Sequence, residues 1–157
     1  MTPLRILFVH SWNGFSLAEW CLREALESRC RVPVDFRALD VPPHGVPAND
    51  LLQRAIASFA PDIVGFSCHY WSTPAFLEAS AWVKLIAPGA RVALGGPQVN
   101  SIDTALALLE RYRAVDWIVR GPGEDSIARL AEAAAGSRPF ESVPGLSFRA
   151  PGKVVHT

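Results

Sequence analysis

The sequence lacks a disulfide framework, an excess of either charge and a long apolar run. Its three cysteines, Cys21, Cys30 and Cys68, are odd in number and widely spaced, which does not suit a disulfide scaffold. Fifteen basic residues balance fifteen acidic ones, whereas nucleic-acid and anionic-membrane binders need a concentrated basic surface. No apolar run approaches the roughly 18 residues of a membrane span, and residues 1–5 (MTPLR) do not resemble a signal peptide. We therefore expect a cytoplasmic protein that binds neither nucleic acid nor membrane.

The residues that are present are mostly apolar. Half of the 157 residues are hydrophobic and 19% are charged, a composition that excludes a disordered chain. This length fits a single domain with its own core. Five tryptophans, together with the low charge, indicate a surface that a large ligand or another domain covers.

Short apolar runs alternate with helical segments along the chain. The runs predict strands at residues 4–9, 32–39, 62–67, 91–94 and 116–119. The predicted helix caps are Ser16 (with Glu19), Asn49, Thr73 (before Pro74) and Ser101. Five strand–helix units predict an α/β fold, an open five-stranded parallel sheet with helices on both faces. Right-handed crossovers favour the strand order 2-1-3-4-5.

The pattern changes after Gly136, where the last helix is predicted to end. Residues 146–149 and 153–155 flank a Pro151-Gly152 turn and predict a β-hairpin. We expect this hairpin to be a C-terminal extension that follows the five-stranded domain. Because nothing follows it that it would pack against, it would be the start of a connection to another domain.

Ligands of such sheets bind beyond the carboxyl ends of the strands, where the strand order reverses. For this order the crevice lies between the first and third strands, whose following loops span residues 10–15 and 67–73. Glycine-containing loops at residues 95–97 and 121–124 extend the same rim. The loops gather His10, His69, Trp12, Tyr70 and Trp71. The remaining tryptophans fall inside predicted elements and are assigned to the core or an interface: Trp20, Trp82 and Trp117.

Several common site chemistries do not fit these loops. A phosphoryl-receiver domain needs acidic residues where His10 and Ser67 stand. Neither a dinucleotide-binding glycine pattern nor a Walker phosphate loop follows the first strand. Residues 65–69 (GFSCH) supply only the first half of a hydrolase nucleophile elbow.

Three local hypotheses stay open. Cys68 beside His69 suggests a thiol nucleophile, although adjacent side chains at a strand end point apart. A metal site made of His10, His69 and Cys68 is conceivable in space but has no spacing signature. Gly95 and Gly96 permit either a tight turn or the close approach of a ligand.

Four segments carry a more specific signal, because they follow one another in a recognisable order and spacing. They are residues 61–71 (PDIVGFSCHYW), 92–99 (VALGGPQV), 116–124 (DWIVRGPGE) and 143–149 (VPGLSFR). Together they resemble the N-terminal cobalamin-binding domain of B12-dependent radical SAM enzymes, over residues 4–155. The resemblance implies a flavodoxin-like fold, with the nucleotide tail of cobalamin between the sheet and its helices.

The resemblance also implies which residues bind the cofactor. Ser67, Gly95 and Gly96 would contact the nucleotide tail, and Gly121 and Glu124 would close its pocket. The implied set comprises Trp12, Asn13, Ser67, Cys68, His69, Tyr70, Trp71, Gly95, Gly96, Pro97, Gln98, Val99, Gly121, Pro122, Gly123 and Glu124.

Two departures from the family pattern bear on the chemistry. The D-x-H-x-x-G motif, whose histidine ligates cobalt in many cobalamin domains, is absent from residues 8–14 (FVHSWNG). Radical SAM relatives commonly lack it, so we expect cobalamin without a histidine–cobalt bond. His69 is the expected neighbour of the lower corrin face, and His10 is the second candidate near the cobalt. The C-x-x-x-C-x-x-C motif is also absent, which predicts no iron–sulfur cluster in this chain.

These features predict a module that binds cobalamin and presents it to a radical SAM catalytic domain or subunit. Residues 1–137 would form the cobalamin-binding domain, and residues 138–157 a linker and hairpin leading toward the catalytic part. The resemblance implies methyl transfer or another radical alkylation, which this chain would not perform alone. Self-association is left open.

Two alternatives to this interpretation depend on the same loops. A related domain without cofactor would serve as a docking module, with Trp12 and Trp71 filling the empty pocket. A small stand-alone enzyme would instead use His10, His69 and Ser67 on a small substrate.

Overall fold

One mixed sheet forms the centre of the computed structural model, which describes residues 2–12, 14–42 and 48–157. Its strands are β1 (Leu4–His10), β2 (Val34–Asp40), β3 (Ile63–Ser67), β4 (Arg91–Gly95), β5 (Trp117–Val119), β6 (Leu146–Ala150) and β7 (Lys153–His156). The helices are α1 (Leu17–Arg29), α2 (Ala48–Phe59), α3 (Thr73–Ile86), α4 (Ile102–Arg111) and α5 (Gly123–Ala134). Short 3₁₀ turns cover Pro97–Val99 and Phe140–Ser142.

The strands lie in the order β2-β1-β3-β4-β5-β6-β7. The first five are parallel, so the predicted order 2-1-3-4-5 is confirmed. The predicted number of five strands is wrong, because the C-terminal hairpin continues the same sheet. β6 pairs antiparallel with β5, with Trp117 opposite Phe148. Leu146 and Phe148 are buried in the same core as Trp117, and their pairing covers an edge of β5 that would otherwise be open.

Helix α1 begins at a serine cap, as the sequence predicts. The Ser16 hydroxyl accepts a hydrogen bond from the Glu19 backbone N–H at 3.3 Å. The Glu19 carboxylate does not complete the predicted capping box. It instead accepts a hydrogen bond from Arg23 at 3.2 Å and lies 3.6 Å from the His10 ring. A charged partner one turn along the helix competes successfully with the backbone for this carboxylate.

Two other predicted helix caps are displaced by one or two residues. Helix α2 begins at Ala48, so Asn49 lies inside its first turn. Ser72 occupies the capping position of α3, and Thr73 is the first helical residue. The Thr73 hydroxyl donates to the His69 carbonyl at 2.7 Å, which ties the helix start to the loop before it. Within the described ranges, no helix is long and apolar enough to cross a membrane.

The helices cover both faces of the sheet and bury two separate cores. Alternate strand residues face opposite sides, so each inner strand contributes to both cores. On one face α2, α3 and α4 pack against Leu7, Val9, Val64, Phe66, Val92, Leu94 and Ile118. On the other face α1 and α5 pack against Ile6, Ile63, Ala93 and Trp117. The second core has fewer large strand side chains near the carboxyl edge, and this difference positions the site.

Candidate functional site

A cavity of about 160 Å³ lies between the sheet and helices α1 and α5. Its floor includes Gly65 and Ser67 of β3 and Ala93 and Gly95 of β4. The strand register places Gly65 beside Ala93 and Ser67 beside Gly95. Because these four residues have little or no side chain, the two central strands leave open space beneath the helices.

The cavity walls are almost entirely hydrocarbon. Apolar side chains from both layers line it: Ile6, Phe8, Ala18, Leu22, Phe36, Ile63, Val119, Ile127 and Leu130. Phe66 and Leu94 also border the cavity, but their side chains are buried in the opposite core. Of the described lining residues, Ser67 and Glu124 carry the polar side chains. Both lie at the carboxyl edge of the sheet, since Ser67 ends β3 and Glu124 stands in the first turn of α5. The cavity is therefore polar at its mouth and apolar inside.

Gly65 and Gly95 shape the cavity by having no side chain. A Cβ atom on Gly65 would lie 3.9 Å from the Phe8 ring, and one on Gly95 would lie 3.7 Å from the Val119 carbonyl oxygen. Both distances are ordinary van der Waals contacts, so the backbone itself does not require glycine at either position. A larger side chain at either position would extend into the cavity.

Gly96 has a different role from its neighbour Gly95. Its φ is +99°, and a Cβ atom would lie 2.7 Å from the Cys68 carbonyl oxygen and 2.9 Å from the Cys68 nitrogen. A side chain is excluded there by backbone conformation and by backbone contact together. The two interpretations of this glycine pair therefore apply to different residues. Gly96 forms the tight turn, and Gly95 leaves open space in the cavity.

The loop after β5 forms the opposite rim of the cavity. Gly121 adopts a φ of +75°, and its N–H donates to the Asn100 side chain. A Cβ atom on Gly123 would lie 3.1 Å from Leu22 of α1, so glycine at this position allows α5 to pack closely against α1. Glu124 follows directly and lines the mouth.

Four aromatic rings bridge the loops after β1 and β3, and we call them the edge aromatic cluster: Trp12, His69, Tyr70 and Trp71. The His69 and Trp71 rings stack with centroids 4.6 Å apart and an interplanar angle of 11°. The Trp12 ring lies 5.4 Å from Trp71 and 5.5 Å from His69. The Trp71 indole N–H donates to the Ser11 carbonyl at 3.1 Å, which fastens one loop to the other.

The edge aromatic cluster is widely exposed, and exposed aromatic residues continue beyond it. Trp12 is 54% exposed and Tyr70 is 78% exposed. Phe15 and Trp20, at the start of α1, are 67% and 63% exposed. Trp20 therefore does not belong to the core, because it stands on the outer side of α1. Trp117 is buried in the core, while Trp82 on α3 is 39% exposed.

His10 is enclosed at the end of β1 between two carboxylates. Its Nδ1 lies 3.3 Å from Asp40 and its Nε2 lies 3.6 Å from Glu19, and the side chain is almost fully buried. Asp40 also accepts hydrogen bonds from the backbone N–H groups of Trp12 and Gly14. The imidazole therefore belongs to a network that holds the loop after β1.

His69 and Cys68 point into different surroundings, as expected for adjacent residues at a strand end. Burial lowers the pKa of His69, so its ring is neutral at pH 7. Cys68 is fully buried on the α2–α4 side of the sheet, and burial raises its pKa to about 12. A thiol held protonated in this way does not act as a nucleophile at neutral pH.

The other small-site hypotheses gain no support from the geometry. No group of three or more metal-ligating side chains comes together in the described part of the chain. His10 faces Asp40 and Glu19, His69 stacks in the edge aromatic cluster, and Ser67 lines the cavity. The three residues thus occupy separate surroundings, without a shared catalytic contact.

The predicted site residues divide into three groups. Those that line the cavity are Ser67, Gly95, Gly96, Gly121, Gly123 and Glu124. Those at the carboxyl edge outside it are Trp12, His69, Tyr70 and Trp71, Pro97 and Gln98 of the 3₁₀ turn, and Pro122, which caps α5. Cys68 and Val99 are buried in the opposite core. Asn13 lies outside the described residues.

Sequence reasoning missed the walls of the cavity and two of the four small residues of its floor. Gly65 and Ala93 are the clearest omissions, and they carried a detectable signal. Each stands two residues before a predicted site residue, Ser67 or Gly95, and so shares its face of the sheet. The apolar wall residues gave no such signal, because their side chains look like ordinary core.

Comparison with known proteins decides the family. The family model described as the B12 binding domain matches residues 14–131. This chain belongs to that family. The matched range begins in the loop after β1 and ends in α5, and it therefore includes every residue at the cavity mouth.

Curated relatives of this B12-binding domain are methyltransferases. The uncharacterized methyltransferase PH0819 of Pyrococcus horikoshii is 30% identical over 132 residues, which is 82% of this chain and 28% of the relative. The 2-(S-pantetheinyl)-carbapenam-3-carboxylate methyltransferase of Streptantibioticus cattleyicolor is 33% identical over 90 residues, which is 57% of this chain and 13% of the relative. The chain thus spans less than a third of either protein.

Solved structures share the fold over nearly the whole chain. The radical S-adenosylmethionine methyltransferase TsrM of Kitasatospora setae, solved with cobalamin and a [4Fe-4S] cluster, superposes with a TM-score of 0.79 at 21% identity. The cobalamin-dependent S-adenosylmethionine radical enzyme OxsB, solved with aqua-cobalamin and S-adenosylmethionine, gives 0.78 at 17% identity. Each match covers 99% of this chain, and 31% and 22% of the two enzymes. The B12-binding domain therefore has the fold found in these cobalamin-dependent radical SAM enzymes.

Proposed function

We propose that this domain binds cobalamin, with the nucleotide tail in the cavity between the sheet and helices α1 and α5. The observation that carries the proposal is the opening left by Gly65, Ser67, Ala93 and Gly95 in the floor of a B12-family sheet. The cavity opens at the carboxyl edge, which is where ligands of doubly wound sheets bind.

The cavity suits a planar aromatic base. Its volume is about 160 Å³, and apolar cavities of about 150 Å³ take up a ring such as benzene. The hydrocarbon walls stabilise an aromatic ring by removing apolar surface from water. At the mouth, the Ser67 hydroxyl and the Glu124 carboxylate offer hydrogen-bonding groups to the polar part of the tail.

The corrin would lie outside the cavity, against the edge aromatic cluster. Cobalamin, when bound, supplies a cobalt centre that carries and transfers an alkyl group. His69 is our candidate for the residue nearest the lower corrin face, because its neutral ring is part of that cluster. His10 is a weaker candidate, since two carboxylates enclose its ring. The domain would therefore hold the cofactor by its tail and by flat contacts, without a histidine bond to cobalt.

We further propose that a radical SAM catalytic domain or subunit is the partner. Residues 1–137 would form the cobalamin-binding part, and residues 138–157 would lead toward the catalytic part while pairing with β5. TsrM and OxsB support this proposal, because their names describe cobalamin and radical SAM chemistry in one enzyme. The exposed aromatic residues around Trp12 and Trp20 offer an apolar surface for such a partner. Methyl transfer is the reaction class that the relatives suggest.

Retention of hydroxocobalamin tests the proposal. The purified chain is mixed with hydroxocobalamin, desalted and examined by visible absorption. We expect the wild-type chain to retain the corrinoid at micromolar protein concentration. Gly95→Leu should lose it, because the new side chain enters the cavity. Gly65→Val provides a second variant with the same expected loss, and circular dichroism checks that both variants fold.

Gly89→Leu is the matched control for these substitutions. Gly89 stands in the exposed turn before β4, and no atom lies within 4 Å of a Cβ placed on it. This variant should retain cobalamin as well as the wild-type chain. A folded wild-type chain without retained corrinoid would refute cobalamin binding, and full retention by Gly95→Leu and Gly65→Val would refute the position of the tail.

One observation favours the alternative of a docking domain without cofactor. Trp12 and Trp71 already pack on one another across the loops after β1 and β3, where the corrin would lie. They do not line the cavity beneath, so the space for the tail stays open. The retention experiment separates the two functions, because the docking domain would fold and still keep no cobalamin.

A further inference from the structure

Among the residues that the structure describes, none presents a polar side chain to a ligand in the interior of the cavity. The register places Ile6 beside Ile63 at the inner end of the floor, and Phe8 beside Gly65 one step nearer the mouth. Leu130 of α5 covers the inner end. The strand backbone there is engaged in the sheet ladders, so its N–H and carbonyl groups are not free to bind a ligand edge.

The two polar side chains among the described lining residues stand at the mouth. Ser67 ends β3, and Glu124 lies in the first turn of α5. A ligand that reaches inward beyond them meets hydrocarbon side chains of the described lining. The cavity therefore divides a tail that enters it into an outer part with hydrogen-bond partners and an inner part without any.

Corrinoids differ chiefly in the base at the end of this tail. An alkyl-substituted benzimidazole has a hydrocarbon outer edge, whereas a purine such as adenine carries an amino group and ring nitrogens that bind water. Burying such groups without partners costs free energy that the hydrocarbon edge does not lose. Contact with Ile6, Ile63 and Leu130 therefore favours the benzimidazole.

We infer that the cavity selects among corrinoids by their lower base, accepting an alkyl-substituted benzimidazole and discriminating against a purine. This inference rests on the proposed binding of the tail in the cavity. The residues that determine the selection are the inner apolar residues, in contrast to Ser67 and Glu124, which meet the part that all corrinoid tails share.

Equilibrium binding of three corrinoids tests the inference. The probes are hydroxocobalamin, the corresponding corrinoid with an adenine base, and a corrinoid without any base, each titrated against the full chain by tryptophan fluorescence. We expect cobalamin to bind at least about tenfold more tightly than the adenine form, as one unpartnered buried polar group costs about that factor. The base-free corrinoid should also bind more weakly than cobalamin.

The outcomes separate the inference from the function on which it rests. If none of the three corrinoids binds to the folded chain, the proposed function fails and the inference fails with it. If cobalamin and the adenine form bind within about threefold of one another and more tightly than the base-free form, the tail binds but the selection is refuted. Equal binding of all three would place the base outside the cavity and would refute both the selection and the tail position.

Two variants assign the selection to the cavity interior. Ala93→Ser adds a hydroxyl to the floor with little added volume, and Ile127→Thr adds one to the α5 wall. Each should give the purine a hydrogen-bond partner. The ratio of the dissociation constant of the adenine form to that of cobalamin should therefore fall severalfold. Ala105→Ser is the matched control, because Ala105 is buried in the opposite core, and it should leave the ratio unchanged. An unchanged ratio in both cavity variants would refute the assignment.

Discussion

The two faces of the sheet are built from the same strands, but one face is a filled core and the other encloses a cavity. On the face covered by α2, α3 and α4, β3 presents Val64 and Phe66, which are buried in a filled core. On the face covered by α1 and α5, the same strand presents Gly65 and Ser67, which line a cavity. A strand of five residues therefore contributes to a filled core on one side and to a cavity on the other, because its side chains alternate.

Strand β4 repeats the difference. Val92 and Leu94 are fully buried in the filled core, whereas Ala93 and Gly95 contribute to the cavity floor. The filled face should therefore carry most of the stability, and the open face should carry the binding of a ligand. Substitutions at neighbouring residues of one strand can separate these two properties.

The largest expected effect belongs to the filled face. Phe66 packs against Phe76, with ring centroids 5.0 Å apart, and Phe66→Ala should lower the free energy of unfolding by about 3–5 kcal/mol. Urea denaturation followed by circular dichroism measures this change. A loss below about 1 kcal/mol would show that the α2–α4 core is not as closely packed as its burial indicates.

Substitution of Gly96 or Gly95 by alanine should give the next largest difference in stability. Gly96→Ala should destabilise the fold by about 1–3 kcal/mol, because alanine would be forced into a positive φ and against the Cys68 backbone. Gly95→Ala should change stability by less than about 1 kcal/mol, since a Cβ there makes only ordinary contacts. Denaturation of both variants under the same conditions compares them. Equal destabilisation would mean that Gly95 serves the turn and not the cavity.

Cys68 makes the stability of the filled face depend on alkaline pH. Burial raises the pKa of Cys68 to about 12, so the unfolded chain loses this thiol proton at lower pH than the folded chain. The contribution is fully present below about pH 9 and is lost as the pH rises toward 12. Between pH 8 and 10 the free energy of unfolding of the wild-type chain should fall by about 1.4 kcal/mol more than that of Cys68→Ala. If the free energies of unfolding of the two chains changed in parallel with pH, the burial of this thiol would be contradicted.

The smallest change in stability is expected on the open face. Gly65→Ala should leave the free energy of unfolding unchanged or raise it by about 0.4–1 kcal/mol, because alanine restricts the unfolded chain and fits 3.9 Å from Phe8. The same substitution should weaken cobalamin binding, since the methyl group takes up space in the cavity. If Gly65→Ala destabilised the fold and left cobalamin binding normal, this face would serve stability and not binding, contrary to our expectation.

Much of the fold was predictable from local pattern, because the strand–helix alternation and the short apolar runs are local properties. The pairing of the C-terminal hairpin with β5 was not, since it joins Trp117 to Phe148 across the intervening helix α5. The capping box of α1 was also not predictable in full, because the Glu19 carboxylate binds Arg23 instead of the backbone.

The rim of the site was predictable from ordered motifs, whereas its interior was not. Residues such as Ile6 and Leu130 are apolar, and only the absence of side chains opposite them turns a core position into a cavity wall. The surroundings of His10 were equally hidden, because Asp40 comes from a neighbouring strand thirty residues along the chain. Such contacts depend on packing between distant segments.

A crystal structure of this chain with bound cobalamin would locate the lower base. We expect the lower base between the sheet and helices α1 and α5, in contact with Gly65 and Gly95, with the corrin against the edge aromatic cluster. A base lying on the α2–α4 face, or outside the cavity altogether, would contradict this expectation.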